Sequence, residues 1–104
     1  MPDPDLTIVD RPDAHRYEAF LAEQPVGFVE YRLAGSRRIL LHTEVDPAFE
    51  GRGIAGAMAR HALDAARAGG FRVTAKCPFI RGWLARHPEY DDIVTRLAED
   101  RPAG

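Results

Sequence analysis

The first half of the chain is dominated by alternation of apolar and polar residues. Four segments show the two-residue period of a strand: residues 6–10, 16–21, 26–33 and 37–45. Short groups containing proline, aspartate or glycine separate them, as expected of turns. The pattern therefore predicts four consecutive strands in an antiparallel meander.

The period changes after Asp46-Pro47, which cannot continue a strand ladder. From Gly53 to about Ala68, apolar residues recur at spacings of three and four, and Gly69-Gly70 follows as a stop signal. The residues that set this period are Ile54, Met58, Ala62 and Ala65. We predict a helix over residues 53–68.

Strand alternation returns over residues 71–77, and a strand that follows a helix should pair in parallel with residues 37–45. Pro78 suits the first position of a second helix, predicted over residues 78–87. Residues 91–100 are predicted to add a final helical turn or two. The order β-β-β-β-α-β-α predicts one α/β domain over residues 1–104, with a mixed, mostly antiparallel sheet and a flexible lead-in at residues 1–5.

Composition narrows the functional classes. The 104 residues are 45% hydrophobic and 29% charged, which is typical of one globular domain, and a net charge of −2 argues against a nucleic-acid partner. One cysteine cannot form an internal disulfide, and neither a secretory signal nor a long apolar segment is present. The four histidines lack the spacing of a metal site. We expect a cytoplasmic protein with no membrane partner and no metal.

The segment "EGRGIAG" (residues 50–56) places a G-x-G-x-x-G pattern between a strand and a helix. Glycines let the backbone approach a ligand closely, and free amides at a helix N-terminus attract a pyrophosphate. A dinucleotide fold would need an early strand-turn-helix, a mainly parallel sheet and a later acidic residue. Those features are missing, although Lys76 leaves NADP open as an alternative to coenzyme A.

The segment "VDPAFEGRGIAGAMARHAL" (residues 45–63) resembles motif A of the GNAT N-acetyltransferases, whose R/Q-x-x-G-x-G/A loop holds the coenzyme A pyrophosphate. Gly53 and Ala55 match this pattern, whereas Glu50 stands where Arg or Gln is usual. A short branch of that superfamily is more similar still, because "HTEV", "GRG", "CPF" and "HPEY" follow in order between residues 42 and 90. The resemblance covers about residues 26–95.

The resemblance implies a reduced GNAT fold, acetyl-CoA as cofactor, and transfer of the acetyl group to an amine on a small molecule or protein, by a monomer or homodimer. It implies cofactor contacts at Val45, Gly51, Arg52, Gly53, Ile54, Ala55 and Gly56. An acyl-CoA-binding or sensing module without turnover is the alternative from a different class.

Cys77 precedes Pro78 and should cap the second helix, where the free amides and dipole stabilise a thiolate. A buried structural cysteine is the simpler interpretation. Leu84 stands where most GNAT enzymes carry the tyrosine that protonates the leaving thiolate, and the short branch is proposed to acetylate its cysteine instead. In the rival direct mechanism, His42 or Glu44, which share one face of their strand, is the base. The alternative role of either residue is to lie near the thiol and lower its pKa, because their strand should neighbour the strand that ends at Cys77.

Overall fold

The computed structural model describes residues 5–95, which form a six-stranded sheet in the order β1-β2-β3-β4-β5-β6 with two helices. The strands are β1 Leu6–Arg11, β2 Arg16–Leu21, β3 Gln24–Ala34, β4 Arg37–Val45, β5 Arg72–Ala75 and β6 Val94–Thr95. The helices are α1 Ile54–Gly69 and α2 Pro78–Ala85. Strands β1 to β4 pair antiparallel, whereas β4, β5 and β6 pair in parallel. The predicted mixed, mostly antiparallel α/β fold is confirmed, and the parallel majority that a dinucleotide fold needs is missing from the described residues.

Both helices pack against one face of the sheet. In β2 the side chains of Tyr17 and Ala19 are fully buried on this face, and α1 places Met58 and Leu63 against them in the same core cluster. Trp83 of α2 belongs to the same cluster. In residues 5–95 neither helix covers the opposite face of the sheet, which we call the outer face.

The "HPEY" segment joins the two helices. The Tyr90 hydroxyl donates to Asp64 at 2.5 Å and accepts from Arg60 at 3.0 Å, so it links the turn after α2 to α1. His87 stacks on the Trp83 ring with the two centroids 3.8 Å apart. These contacts fix α2, and hence its N-terminus, relative to α1.

Two predicted elements need correction. Residues 91–100 were predicted to be helical, but residues 91–93 form a turn and β6 follows at Val94–Thr95, while residues 96–100 lie outside the described residues. Residues 94 and 95 form a strand instead of a helix because Val94 pairs with Val73 at the edge of the sheet, where its β-branched side chain is only 7% exposed. The strand predicted over residues 71–77 ends at Ala75.

Candidate functional site

Strands β4 and β5 separate near the middle of β4. Their parallel pairing runs from Arg37 opposite Arg72 to Leu40 opposite Ala75, after which β5 ends and β4 continues to Val45. The amides of residues 76 and 77 both donate to the Leu40 carbonyl, at 2.8 and 3.1 Å, which turns the chain away from β4. Within the described chain, residues 41–45 therefore pair with β3 on one side only.

A bulge in β4 decides which side chains face the helices. Tyr31 of β3 pairs with Leu40 while Glu30 pairs with His42, so β4 contains one extra residue at this point. Beyond the bulge, Thr43 lies opposite the fully buried Val29 and shares its face. Because side chains alternate along a strand, Thr43 and Val45 face the helices, and His42 and Glu44 project from the outer face.

The glycine loop forms a tight entry into α1. Asp46 accepts a hydrogen bond from the Ala48 amide at 2.9 Å and so initiates the 3-10 turn Pro47–Phe49. Gly51 and Gly53 adopt left-handed φ values of 83° and 78°, a region that only glycine enters at little cost. The first helical amides after Gly53 have no intrahelical acceptor. They are free to bind an anion.

A cleft of about 330 Å³ lies between this loop and β4. We call it the glycine-loop cleft; its lining residues are Thr43, Val45, Phe49, Glu50, Gly51, Gly53, Ile54, Ala55, Gly56 and Phe79. Six of the seven residues predicted for cofactor binding are in this lining. The exception is Arg52, which is exposed and holds its guanidinium 5.2 Å from the centre of the Phe49 ring.

The other four lining residues are Thr43, Phe49, Glu50 and Phe79, of which sequence reasoning singles out only Glu50, as a departure from the motif. Thr43 lies between His42 and Glu44, the two candidate bases on the same strand. The bulge at position 41, which decides the face of each, could not be predicted from the alternation. Phe79 follows the Cys-Pro pair and is 38% exposed, which is unusual for a large apolar side chain. Its exposure beside the cleft is consistent with contact to a ligand.

Cys77 occupies the N-cap of α2 as predicted, with Pro78 in the first turn. Its side chain is only 3% exposed, and Sγ donates to Thr43 Oγ1 at 3.3 Å. Thr43 lines the cleft and Cys77 is not among the lining residues. The thiol therefore lies behind the Thr43 hydroxyl as seen from the cleft.

His42 and Glu44 pair with each other instead of with the thiol. Their Nε2 and Oε2 atoms are 2.9 Å apart, and the Glu44 side chain is 64% exposed. They project from the opposite face of β4 to Thr43, the residue that Cys77 contacts. The expectation that either residue lies near the thiol is not met by this geometry. A role as a base toward a molecule on the outer face is consistent with it.

Residues 5–95 show no arrangement typical of a metal site and no membrane-spanning helix. They contain no group of three or more His, Cys, Asp or Glu side chains placed to hold a metal ion. None of the helices in this part of the chain combines the length and apolar character needed to cross a bilayer.

Comparison with known proteins agrees with this architecture. The family model for GCN5-related N-acetyl-transferases matches residues 16–93. No curated protein matches the chain.

Among solved structures, a GCN5-like putative N-acetyltransferase from Staphylococcus aureus is similar over 91% of this chain and 93% of its own, with 18% identity and a TM-score of 0.70. A ribosomal-protein-alanine N-acetyltransferase from Brucella melitensis biovar Abortus 2308 matches over 88% and 90%, with 17% identity and a TM-score of 0.60. A PaiA N-acetyltransferase from Thermoplasma acidophilum, solved with coenzyme A, matches over 54% of this chain and 35% of its own, with 20% identity and a TM-score of 0.51. At these identities the structures support the fold, and the match to the family model supports membership. The chain belongs to the GCN5-related N-acetyltransferase family.

Proposed function

We propose that the chain binds acetyl-CoA in the glycine-loop cleft and transfers the acetyl group directly to an amine that enters from the outer face. The observation that carries this proposal is the position of the cleft, between free amides at the start of α1 and the part of β4 that pairs on one side only. The coenzyme A complex of the Thermoplasma relative supports this choice of ligand.

The residues present fit such a ligand. Apart from the chain neighbours of each glycine, no atom of residues 5–95 lies within 4 Å of the point where a Cβ would stand on Gly51 or Gly53, so the loop is open to a diphosphate. The amides of residues 54–56 would hold its oxygens, and the edge of β4 that has no partner strand within residues 5–95 would bond to the amides of the pantetheine arm. The thioester then lies between the separated strands, close to Thr43.

Direct transfer assigns roles to the outer-face pair. The amine nitrogen forms a bond to the acetyl carbonyl carbon, the carbon–sulfur bond breaks, and coenzyme A leaves with the electron pair and takes up a proton. The amine must lose a proton, and we assign its acceptance to the His42–Glu44 pair, since imidazole and carboxylate are the common general bases.

An acetyl-cysteine on Cys77 is the competing route. Its position at the N-cap of α2 places it beside the free amides of that helix. Its burial and its place behind Thr43 argue against attack on a thioester in the cleft, and a second attack by an amine would need the same access. Burial therefore favours direct transfer.

Cys77→Ala tests the two routes. Direct transfer predicts that this variant keeps kcat within a few-fold and that the intact mass of the wild type gains no acetyl group on incubation with acetyl-CoA. Loss of nearly all activity, together with a wild-type acetyl adduct that maps to Cys77, would overturn direct transfer. Glu44→Gln serves as the opposite control, because general-base loss costs about 10²–10⁴-fold in rate.

An acyl-CoA-binding module without turnover is the second candidate. Leu84 stands at the position of the tyrosine that usually acts as the acid, and its side chain is only 3% exposed. Glu50 lines the cleft with a carboxylate that repels phosphate. Acetyl-CoA binding with no acetylation of any amine in a broad panel would favour this candidate.

A further inference from the structure

A second concavity, of about 690 Å³, lies on the outer face of the sheet. A row of directly paired residues crosses it, from Glu18 of β2 through Phe28 of β3 to Glu44 of β4. We call it the outer-face groove; its lining residues are Arg11, Arg16, Glu18, Phe20, Pro25, Val26, Gly27, Phe28, Glu44, Asp46 and Pro47. Of its lining residues, Glu44 is the one with a role in the proposed acetyl transfer.

One end of the outer-face groove is positively charged. Arg11 Nε lies 3.2 Å from one carboxylate oxygen of Glu18, and Arg16 Nε lies 2.8 Å from the other. One carboxylate therefore faces two guanidinium groups, which leaves a net positive charge. Both arginine side chains are partly exposed, at 49% and 40%, so an anion in the groove can reach them.

The other end is negatively charged and adjoins the transfer site. Glu44 and Asp46 contribute two carboxylates, and Glu44 is bonded to His42. The chain neighbours of Glu44 line the glycine-loop cleft from the other face of the same strand. An ammonium group attracted to this end would therefore lie beside the proposed base, on the face of β4 from which an amine enters the gap between β4 and β5 that holds the thioester.

The floor between the charged ends is apolar. Phe28 lies between the two glutamates of the row, and the Arg16 guanidinium sits 4.6 Å from the centre of its ring. Adjacent strands are about 4.8 Å apart, so the two ends of the row are separated by about 10 Å. The charged ends, the apolar floor and the length of the groove fit an elongated ligand with opposite charges at its two ends.

We infer that the outer-face groove is the acceptor site and that it selects an amine carrying an anionic group about 10 Å away across an apolar spacer. The inference rests on the proposed acetyl transfer. It names the acceptor class: a zwitterionic amino acid with a long spacer, bound with its amine at Glu44 and its anion at Arg11 and Arg16. A simple alkylamine lacks the anion, and a diamine places a second cation against the arginines.

Three amines with the same eight-carbon chain test the selection: ω-aminooctanoate, octylamine and α,ω-diaminooctane. With acetyl-CoA as donor, kcat/KM for ω-aminooctanoate should exceed that for octylamine by about tenfold, the low end for a hydrogen bond to a charged group. Diaminooctane should be the poorest of the three. The preference should shrink as salt is raised, because both arginines are partly exposed.

Arg11→Gln and Arg16→Gln should each reduce the ratio of kcat/KM between ω-aminooctanoate and octylamine toward one. Arg32→Gln removes the same charge from an exposed residue of β3 outside the groove lining, and should leave the ratio unchanged. Circular dichroism of each variant checks that the fold is retained.

The outcomes separate the acceptor groove from acetyl transfer itself. Acetylation of all three amines with equal kcat/KM, or a preference that both arginine variants retain, would overturn the acceptor groove and leave acetyl transfer standing. Acetylation of none of the three by protein that binds acetyl-CoA would also overturn the acceptor groove, and acetylation of another amine in the broad panel would then show that acetyl transfer itself stands.

Discussion

Replacing Gly53 by alanine tests whether the left-handed turn before α1 is what presents the amides to the ligand. Alanine in this conformation costs about 1–2 kcal/mol, and the stiffer unfolded chain offsets about 0.4–1 kcal/mol of that. The net loss of stability is about 1 kcal/mol, which lowers Tm by about 4–8 °C in a domain of this size. This loss is an upper bound, because no atom of residues 5–95 beyond the chain neighbours of Gly53 lies within 4 Å of the new methyl group. To the extent that the free loop relaxes out of the left-handed turn, the strain lowers the affinity for the ligand instead of the stability.

Binding must then restore the left-handed turn, so the affinity should fall. If the ligand needs that turn, the dissociation constant for acetyl-CoA rises about 5–30-fold, the equivalent of one to two kcal/mol. Isothermal titration calorimetry measures this directly. Gly53→Val should be worse, because a β-branched residue at a positive φ is a strong outlier and cannot keep the conformation.

Gly35→Ala is the matched control. Gly35 has a φ of 61° in the turn between β3 and β4, it too has open space around the missing Cβ, and it lies outside the glycine-loop cleft. It should lose the same stability and keep wild-type affinity. Equal affinity in Gly53→Val and Gly35→Ala would refute the assignment of the loop as the binding element.

Three further predictions concern other parts of the molecule. Glu50→Gln should tighten acetyl-CoA binding by about two- to fivefold, as expected of an exposed charge contact, and an unchanged dissociation constant would contradict repulsion at that carboxylate. Burial raises the pKa of Tyr17, Tyr31 and Tyr90 above the ordinary value of 10.0, so their contribution to stability is fully present below that pH and is lost as the pH rises above it. Tyrosinate absorbance should therefore appear together with unfolding, and ionisation before unfolding would contradict this. Tyr90→Phe removes the donor to the exposed Asp64 carboxylate and should cost about 0.5–1.5 kcal/mol in urea unfolding. A loss below the experimental error would show that this contact does not hold the helices together.

Most of the fold could be predicted from local pattern because the period of apolar residues changes wherever the structure does. The strand predicted over residues 16–21 and the helix predicted over residues 53–68 agree with β2 and α1 within a residue at each end. The last segment failed because residues 94 and 95 gain their strand conformation by pairing with β5, a contact that no local window contains.

The sequence predicted the part of the candidate site that is formed by the backbone. It did not predict the part that depends on the direction of side chains. The glycine pattern identified the loop, since positive φ values demand glycine. The positions of Cys77 and Thr43 relative to His42 depend on an extra residue in β4, which pairing with β3 reveals and the sequence does not. The outer-face groove was missed for the same reason, because it is assembled from four strands.

The most direct test of the account is a titration of the isotope-labelled protein with acetyl-CoA, followed by two-dimensional amide NMR. We predict saturable shifts at the amides of residues 51–56 and of Thr43 to Val45, with smaller changes at Arg11 and Arg16 on the outer face. Shifts concentrated on the outer face, or no saturable shift at the glycine loop, would contradict the central claim that acetyl-CoA binds in the glycine-loop cleft.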